Sequence, residues 1–92
     1  MIRSFKDGKT ERFFEGQFIR DFQGFTEQAT RRLAVLDSAE SLRDLSALRS
    51  NRLESLSGDR KGQYRIRINQ QWRLCFQWDN DGPFDVEIVD YH

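Results

Sequence analysis

At Leu53 the apolar pattern of this chain changes period, and the new period holds from there on. Upstream, Phe18, Phe22, Phe25, Ala29, Leu33 and Leu36 recur at steps of three and four, the spacing that lines one side of a helix. Downstream, apolar residues fall at every second position: Tyr64, Ile66 and Ile68, then Trp72, Leu74, Phe76 and Trp78, then Phe84, Val86 and Ile88. That alternation places them on one face of successive strands. A helical half followed by an alternating half predicts an α+β fold, with N-terminal helices packed on one face of a small, mainly antiparallel sheet.

Turn chemistry divides the alternating half. The run 57–62, Ser-Gly-Asp-Arg-Lys-Gly, carries two glycines and an aspartate with two cations at its tip, and 79–83, Asp-Asn-Asp-Gly-Pro, is a second strong turn signal. Around them the sequence predicts a short strand around Glu54 flanked by Leu53 and Leu56, a strand 63–69, a tight turn at Asn69-Gln70-Gln71, a strand 72–78 and a last strand 84–91. Arg65, Arg67, Arg73, Cys75, Gln77, Asp85, Glu87, Val89 and Tyr91 then share the face away from the helices. A slip of one residue would carry the arginines into the core, so the register is well specified.

Upstream, Ile2 to Phe5 reads as a short first strand with Ile2 or Phe5 inward, Glu11 to Phe14 as a short helix ended near Gly16, and 26–37 as the firmest helix. Lys6 to Gly24 shows no firm period. Asp37-x-x-Glu40 resembles a capping box opening a helix from Ala39 to about Leu45.

A chain of 92 residues makes one domain. It has no apolar run long enough to span a bilayer and opens on no signal peptide, so no membrane association is expected. One cysteine and one histidine cannot close a zinc shell, so neither metal nor cofactor is expected, and an unpaired Cys75 suits a reducing cytoplasm. Net charge is zero, but its distribution is uneven. Residues 43–73 hold eight basic residues (Arg43, Arg49, Arg52, Arg60, Lys61, Arg65, Arg67 and Arg73) against Asp44, Glu54 and Asp59, whereas residues 74–92 hold five acidic residues and no basic one. A local basic stripe is hidden by the zero balance, and such a stripe serves either as a solvated face or as an anion-binding one.

The chain ends on its single histidine, after Asp90 and Tyr91. An acid, a phenol and an imidazole at the end of a strand, with arginines on the neighbouring face, are groups suited to RNA cleavage by the ribose 2′-hydroxyl. That reaction needs a base, an acid and cations for the phosphorane. An imidazole is the one side chain whose unperturbed pKa lies near neutral pH, and arginine matches phosphate in a planar fork.

Three elements carry a resemblance: Leu56 to Tyr64 with its Gly-Asp-Arg-Lys-Gly turn, Ile68 to Phe76 with Trp72-Arg73, and the closing Val89-Asp90-Tyr91-His92. Together and in this order they resemble a HigB-type toxin within the RelE/ParE-like superfamily of bacterial toxin–antitoxin systems, over a single RelE-like domain spanning 1–92. The resemblance implies a cytoplasmic, ribosome-dependent endoribonuclease that cuts mRNA in the decoding site, without a cofactor. It implies neutralisation by a HigA-type helix-turn-helix antitoxin, with operator DNA contacted only through that partner. Carried over by position, Asp90, Tyr91 and His92 match the catalytic tail, and Arg73 matches an arginine facing the scissile phosphate. Arg60 and Lys61 match a basic RNA-contacting loop, which Arg65 and Arg67 extend across the sheet. Some members carry a histidine where this chain has Glu54, which implies either that Glu54 replaces it as a candidate general base beside His92 or that the enzyme is slower, with His92 as its only imidazole. The rival reading is a toxin of the same fold that acts by protein binding, such as gyrase poisoning.

Overall fold

The computed structural model describes residues 1–91. The alternating half folds into a four-stranded antiparallel meander hydrogen-bonded in chain order: β1 (Glu54–Ser55), β2 (Gln63–Arg67), β3 (Trp72–Asp79) and β4 (Gly82–Asp90). The helical half supplies α1 (Gly8–Phe14), α2 (Thr26–Ser38) and α3 (Leu42–Ala47), with a 3-10 turn at Arg20–Phe25 leading into α2. The helices cover one face of the sheet, as the apolar stripes require. Phe25 stacks on Trp72 with centroids 4.7 Å apart, and Leu33, Leu36 and Leu45 join Ile66, Leu74, Phe76 and Val86 in one buried core. Among the described residues no helix is long and apolar enough to cross a membrane.

Three local expectations are corrected. First, α3 begins at Leu42, not Ala39. The cap is Ser41, whose side chain accepts from the Asp44 amide at 3.2 Å, while Asp44 accepts from the Glu40 amide at 2.9 Å. Asp37 instead stays in α2 and accepts from the Ile2 amide at 2.8 Å. Second, α1 begins before Glu11, at Gly8, because Asp7 caps it by accepting from the Thr10 amide. Third, residues 2–5 form no strand of their own. The segment runs parallel to β4 through a single bridge, Phe5 to Val86, with Ile2 and Phe5 both packed against the core.

The edge of β4 is covered by this segment and by the buried Thr10 hydroxyl, which accepts from the Ile88 amide at 3.0 Å. Covering an edge removes a template for unwanted strand pairing.

A bulge in β4 reverses one assignment. Cys75 pairs with Glu87 but Gln77 pairs with Phe84, so β4 contains an extra residue opposite Phe76. Asp85 takes a left-handed conformation there (φ 52°), the bend that a bulge requires. The Ser4 hydroxyl accepts from its amide at 2.9 Å, and Gln77 Nε2 donates to its carboxylate at 3.1 Å. Before the bulge the faces exchange. Phe84, expected inward, lies on the outer face under the Arg3 guanidinium, 4.9 Å from the ring centroid, and Pro83 takes the buried place.

The stretch 46–51 contains a buried clamp. Asn51 is fully buried, its amide donates to the Leu45 carbonyl at 3.0 Å, and its oxygen accepts from Arg32 of α2 at 2.5 Å. Arg32 is half-buried there. The clamp fixes where the chain enters β1, and Arg52 follows it in the left-handed region (φ 48°).

Candidate functional site

The outer face of the meander is written by alternation in β2 and β3, and the pairing register turns it into rows. One row runs Glu54, Arg65, Cys75, Glu87 across β1 to β4; the next runs Arg67, Arg73, Val89. Arg67 and Arg73 therefore sit directly opposite one another, an arrangement of like charges that destabilises a sheet unless an anion lies between them. No carboxylate pairs with either among the described residues. Arg73 is held instead by carbonyl oxygens, donating from Nη1 to Asn69 O and, at 3.2 Å, to Trp72 O. Burial lowers its pKa from the ordinary value, and Arg67, Arg65 and Arg52 lower it further; it remains a cation near neutral pH.

Arg65 is anchored differently. Its Nη2 donates to both oxygens of Glu54, at 3.2 and 3.3 Å, and its guanidinium lies over the Tyr91 ring. Its Nε is buried without a hydrogen-bond partner. Burial works to lower the Arg65 pKa, but Tyr91 and Glu54 outweigh it and the net direction is upward. Glu54, the candidate base, is thus the ion-pair partner of Arg65, with its side chain 55% exposed.

Tyr91 is brought to this face as its parity predicted. Its amide donates to Gln71 O at 2.6 Å, which keeps the chain against the β2–β3 turn beyond the end of β4. Its hydroxyl lies 3.9 Å from Cys75 Sγ. Cys75 has no exposed surface although it faces outward; burial pushes its thiol pKa up. Asp90 pairs with Trp72 and belongs to the opposite face at the sheet's end, where it accepts from Gln71 Nε2 at 3.0 Å. His92 lies outside the described residues.

The two cations of the 57–62 turn diverge. Lys61 is exposed. Arg60 folds back over the sheet and donates from Nη1 to Gln63 Oε1 and to Glu87 Oε1, both at 2.9 Å. The hydrogen bond to Glu87 raises its pKa. Sequence reasoning placed Glu87 on this face by parity but did not single it out, because nothing local links positions 60 and 87. Arg52, counted in the basic stripe without a role of its own, adds to the positive field that depresses Arg73. The face gathers cations, a phenol and a carboxylate in adjacent rows, an arrangement able to hold a phosphodiester and move protons beside it.

Over residues 3–92 the chain matches the family described as the RelE-like toxin of the type II toxin–antitoxin system HigB. It is 41% identical over 80 residues to Toxin HigB-1 of Vibrio cholerae, covering 85% of this chain and 84% of that one. It is 30% identical over 97 residues to the Endoribonuclease HigB of Proteus vulgaris, covering 100% of both. The fold is similar to the YoeB-YefM complex from Staphylococcus aureus, with a TM-score of 0.59 at 17% identity over 100% of this chain and 98% of that one. It is also similar to the YoeB/ParE toxin from Agrobacterium tumefaciens, with a TM-score of 0.53 at 16% identity over 98% of each.

Proposed function

Because the chain belongs to the HigB-like family of RelE-like toxins of type II toxin–antitoxin systems, we propose that it is an endoribonuclease that cleaves mRNA on the ribosome and is neutralised by a HigA-type antitoxin. The observation that carries this reading is the direct pairing of Arg67 with Arg73 and the lack of a carboxylate partner for either among the described residues. Like charges held face to face are relieved by an anion, and a phosphodiester supplies one wherever the RNA crosses the sheet.

In the proposed reaction the ribose 2′-oxygen attacks phosphorus while a base removes its proton. The bond from phosphorus to the 5′-oxygen breaks and an acid protonates that leaving oxygen. The products are a 2′,3′-cyclic phosphate and a 5′-hydroxyl. Arg73 stabilises the phosphorane charge; Arg65, Arg67, Arg60 and Lys61 hold the RNA backbone. His92 and Glu54 are the proton-transfer groups, Tyr91 orients or stacks on a nucleotide, and Asp90 positions its neighbours. For Glu54 to accept a proton its pairing with Arg65 must open, and a substrate phosphate offers Arg65 an alternative partner.

Mapping RNA ends in cells expressing the chain tests the reading. New 5′-hydroxyl ends inside translated messages, absent when initiation is blocked, are the expected result. Intact mRNA accompanied by a DNA-damage response overturns it in favour of action by protein binding. Deleting His92 is expected to abolish growth inhibition with cooperative unfolding retained; full toxicity of the shortened chain removes His92 from the chemistry.

A further inference from the structure

Glu87 has no part in the chemistry proposed above, yet it stands in the same row as Glu54, Arg65 and Cys75. Its side chain is only 16% exposed, which is dry for a carboxylate and sustainable because it is paired. The partner is Arg60, from the turn that connects β1 and β2. To reach Glu87 on β4, the Arg60 side chain must cross β3, and Cys75, which it passes, has no exposed surface.

The geometry of this contact is specific. Glu87 Oε1 and Gln63 Oε1 both accept from Arg60 Nη1, each at 2.9 Å. Both hydrogens of that nitrogen are therefore committed, and the Nη2 and Nε donors on the rest of the fork are not engaged by any described residue. Because a guanidinium is planar, fixing one nitrogen against two acceptors orients the whole group. The turn that carries Arg60 has glycines with positive φ at Gly58 (64°) and Gly62 (93°), and its backbone hydrogen bonds, Arg60 N to Ser57 O and Lys61 N to Gly58 O, fix the main chain but not the Arg60 side chain. The other cation facing Glu87, Lys6, is 3.8 Å away with its side chain 51% exposed, too loose and too wet to substitute for Arg60.

We infer that Glu87 is a positioning residue, whose carboxylate, with the Gln63 amide oxygen, pre-orients Arg60 as a bidentate clamp for an RNA phosphate and holds the 57–62 turn over the sheet. The inference rests on the RNA-cleaving reading. Its physical content is preorganisation: an anchored guanidinium loses less rotamer freedom when it binds phosphate than a free one. Glu87 touches no reacting atom, so it acts on substrate binding and not on the chemical step.

The test is mRNA cleavage on programmed ribosomes by the full chain and by Glu87→Ala, Glu87→Gln, Arg60→Ala, Lys6→Ala and the Glu87→Ala/Arg60→Ala pair, with thermal unfolding of each. Glu87→Ala is expected to raise KM about fivefold or more and to leave kcat within about twofold. Glu87→Gln, which keeps an acceptor oxygen, recovers part of the loss, and Lys6→Ala changes neither constant. The double variant loses no more than Arg60→Ala alone, since Glu87 works through Arg60. Arg60→Ala lowers the salt dependence of log(kcat/KM) by about 0.7, the share of one phosphate on a single strand, whereas Glu87→Ala leaves that slope unchanged because the cation remains. An unchanged KM in Glu87→Ala, or losses that add in the double variant, overturns the inference while cleavage by the unaltered chain upholds the reading beneath it. No cleavage by the unaltered chain overturns both.

Discussion

The guanidinium of Arg65 lies over the ring of Tyr91, its central carbon 4.7 Å from the ring centroid. Two residues from the middle and the end of the sheet thereby cover a third, Cys75, whose sulfur is 3.9 Å from the phenolic oxygen. A cation over an aromatic face is attracted by the ring quadrupole, so the ring itself, more than its hydroxyl, holds this lid in place. Tyr91→Phe is expected to keep Cys75 unreactive toward a thiol reagent. Tyr91→Ala is expected to raise the labelling rate about tenfold or more as access and thiolate fraction both increase. Equal labelling rates in the two variants would show that the ring is not the cover.

The buried thiol also makes stability depend on alkaline pH. Burial is the main cause that raises the Cys75 pKa above its ordinary value of 9.0. The neutral thiol is thus favoured in the folded state, and its contribution is fully present below the unfolded pKa. It is lost as pH rises through the folded value, so stability falls above about pH 9. Urea midpoints at pH 8 and pH 10 check this against Cys75→Ala, in which the alkaline loss is expected to be smaller.

Arg73→Ala separates function from stability. Removing one donor aimed at developing charge costs about 100- to 1,000-fold in rate in comparable sites, and a drop of that order in single-turnover mRNA cleavage is expected. The folded state is expected to be no less stable, because Arg67 loses the like charge directly opposite it. A large fall in melting temperature would mean that the Arg73 contacts to Asn69 and Trp72 carbonyls matter more to the fold than to RNA.

Glu54→Gln addresses the base. The pair with Arg65 is half exposed on its carboxylate side, so its loss is expected to cost less than about 1 kcal/mol in chemical denaturation. If Glu54 removes the 2′-hydroxyl proton, cleavage falls by about 100-fold or more while RNA binding persists. An unchanged rate leaves His92 as the sole proton-transfer group.

The β4 bulge predicts unequal roles for two phenylalanines on neighbouring strands, Phe76 on β3 and Phe84, which pairs with the next β3 residue, Gln77. Phe76→Ala opens a cavity in the core and is expected to cost about 3–5 kcal/mol. Phe84→Ala removes a ring from the outer face beneath Arg3 and is expected to cost about 1 kcal/mol, close to a single exposed cation–π contact. Denaturant midpoints of the two variants measure the difference directly.

The bulge also marks a boundary in what could be read without coordinates. Alternation in 63–68 and 72–78 was enough to put Arg65, Arg67, Arg73 and Cys75 on one face, since the side a strand residue takes depends only on its own neighbours in the chain. The same local rule failed at Phe84, because a bulge is a mismatch in count between two strands and neither strand shows it alone. Capping failed for a related reason. Asp37-x-x-Glu40 and Ser41-x-x-Asp44 both fit the pattern, and the choice was made when the Ile2 amide claimed Asp37.

Local periodicity, then, determined the order of helices and strands, the separation of the two faces and the presence of a basic stripe. Tertiary structure decided which charges meet: Arg67 against Arg73 through the register of β2 and β3, and Arg60 against Glu87 across 27 positions. Periodicity acts over a few residues of backbone, whereas the pairing of charges depends on strand register and turn path, which are set only once the core has closed.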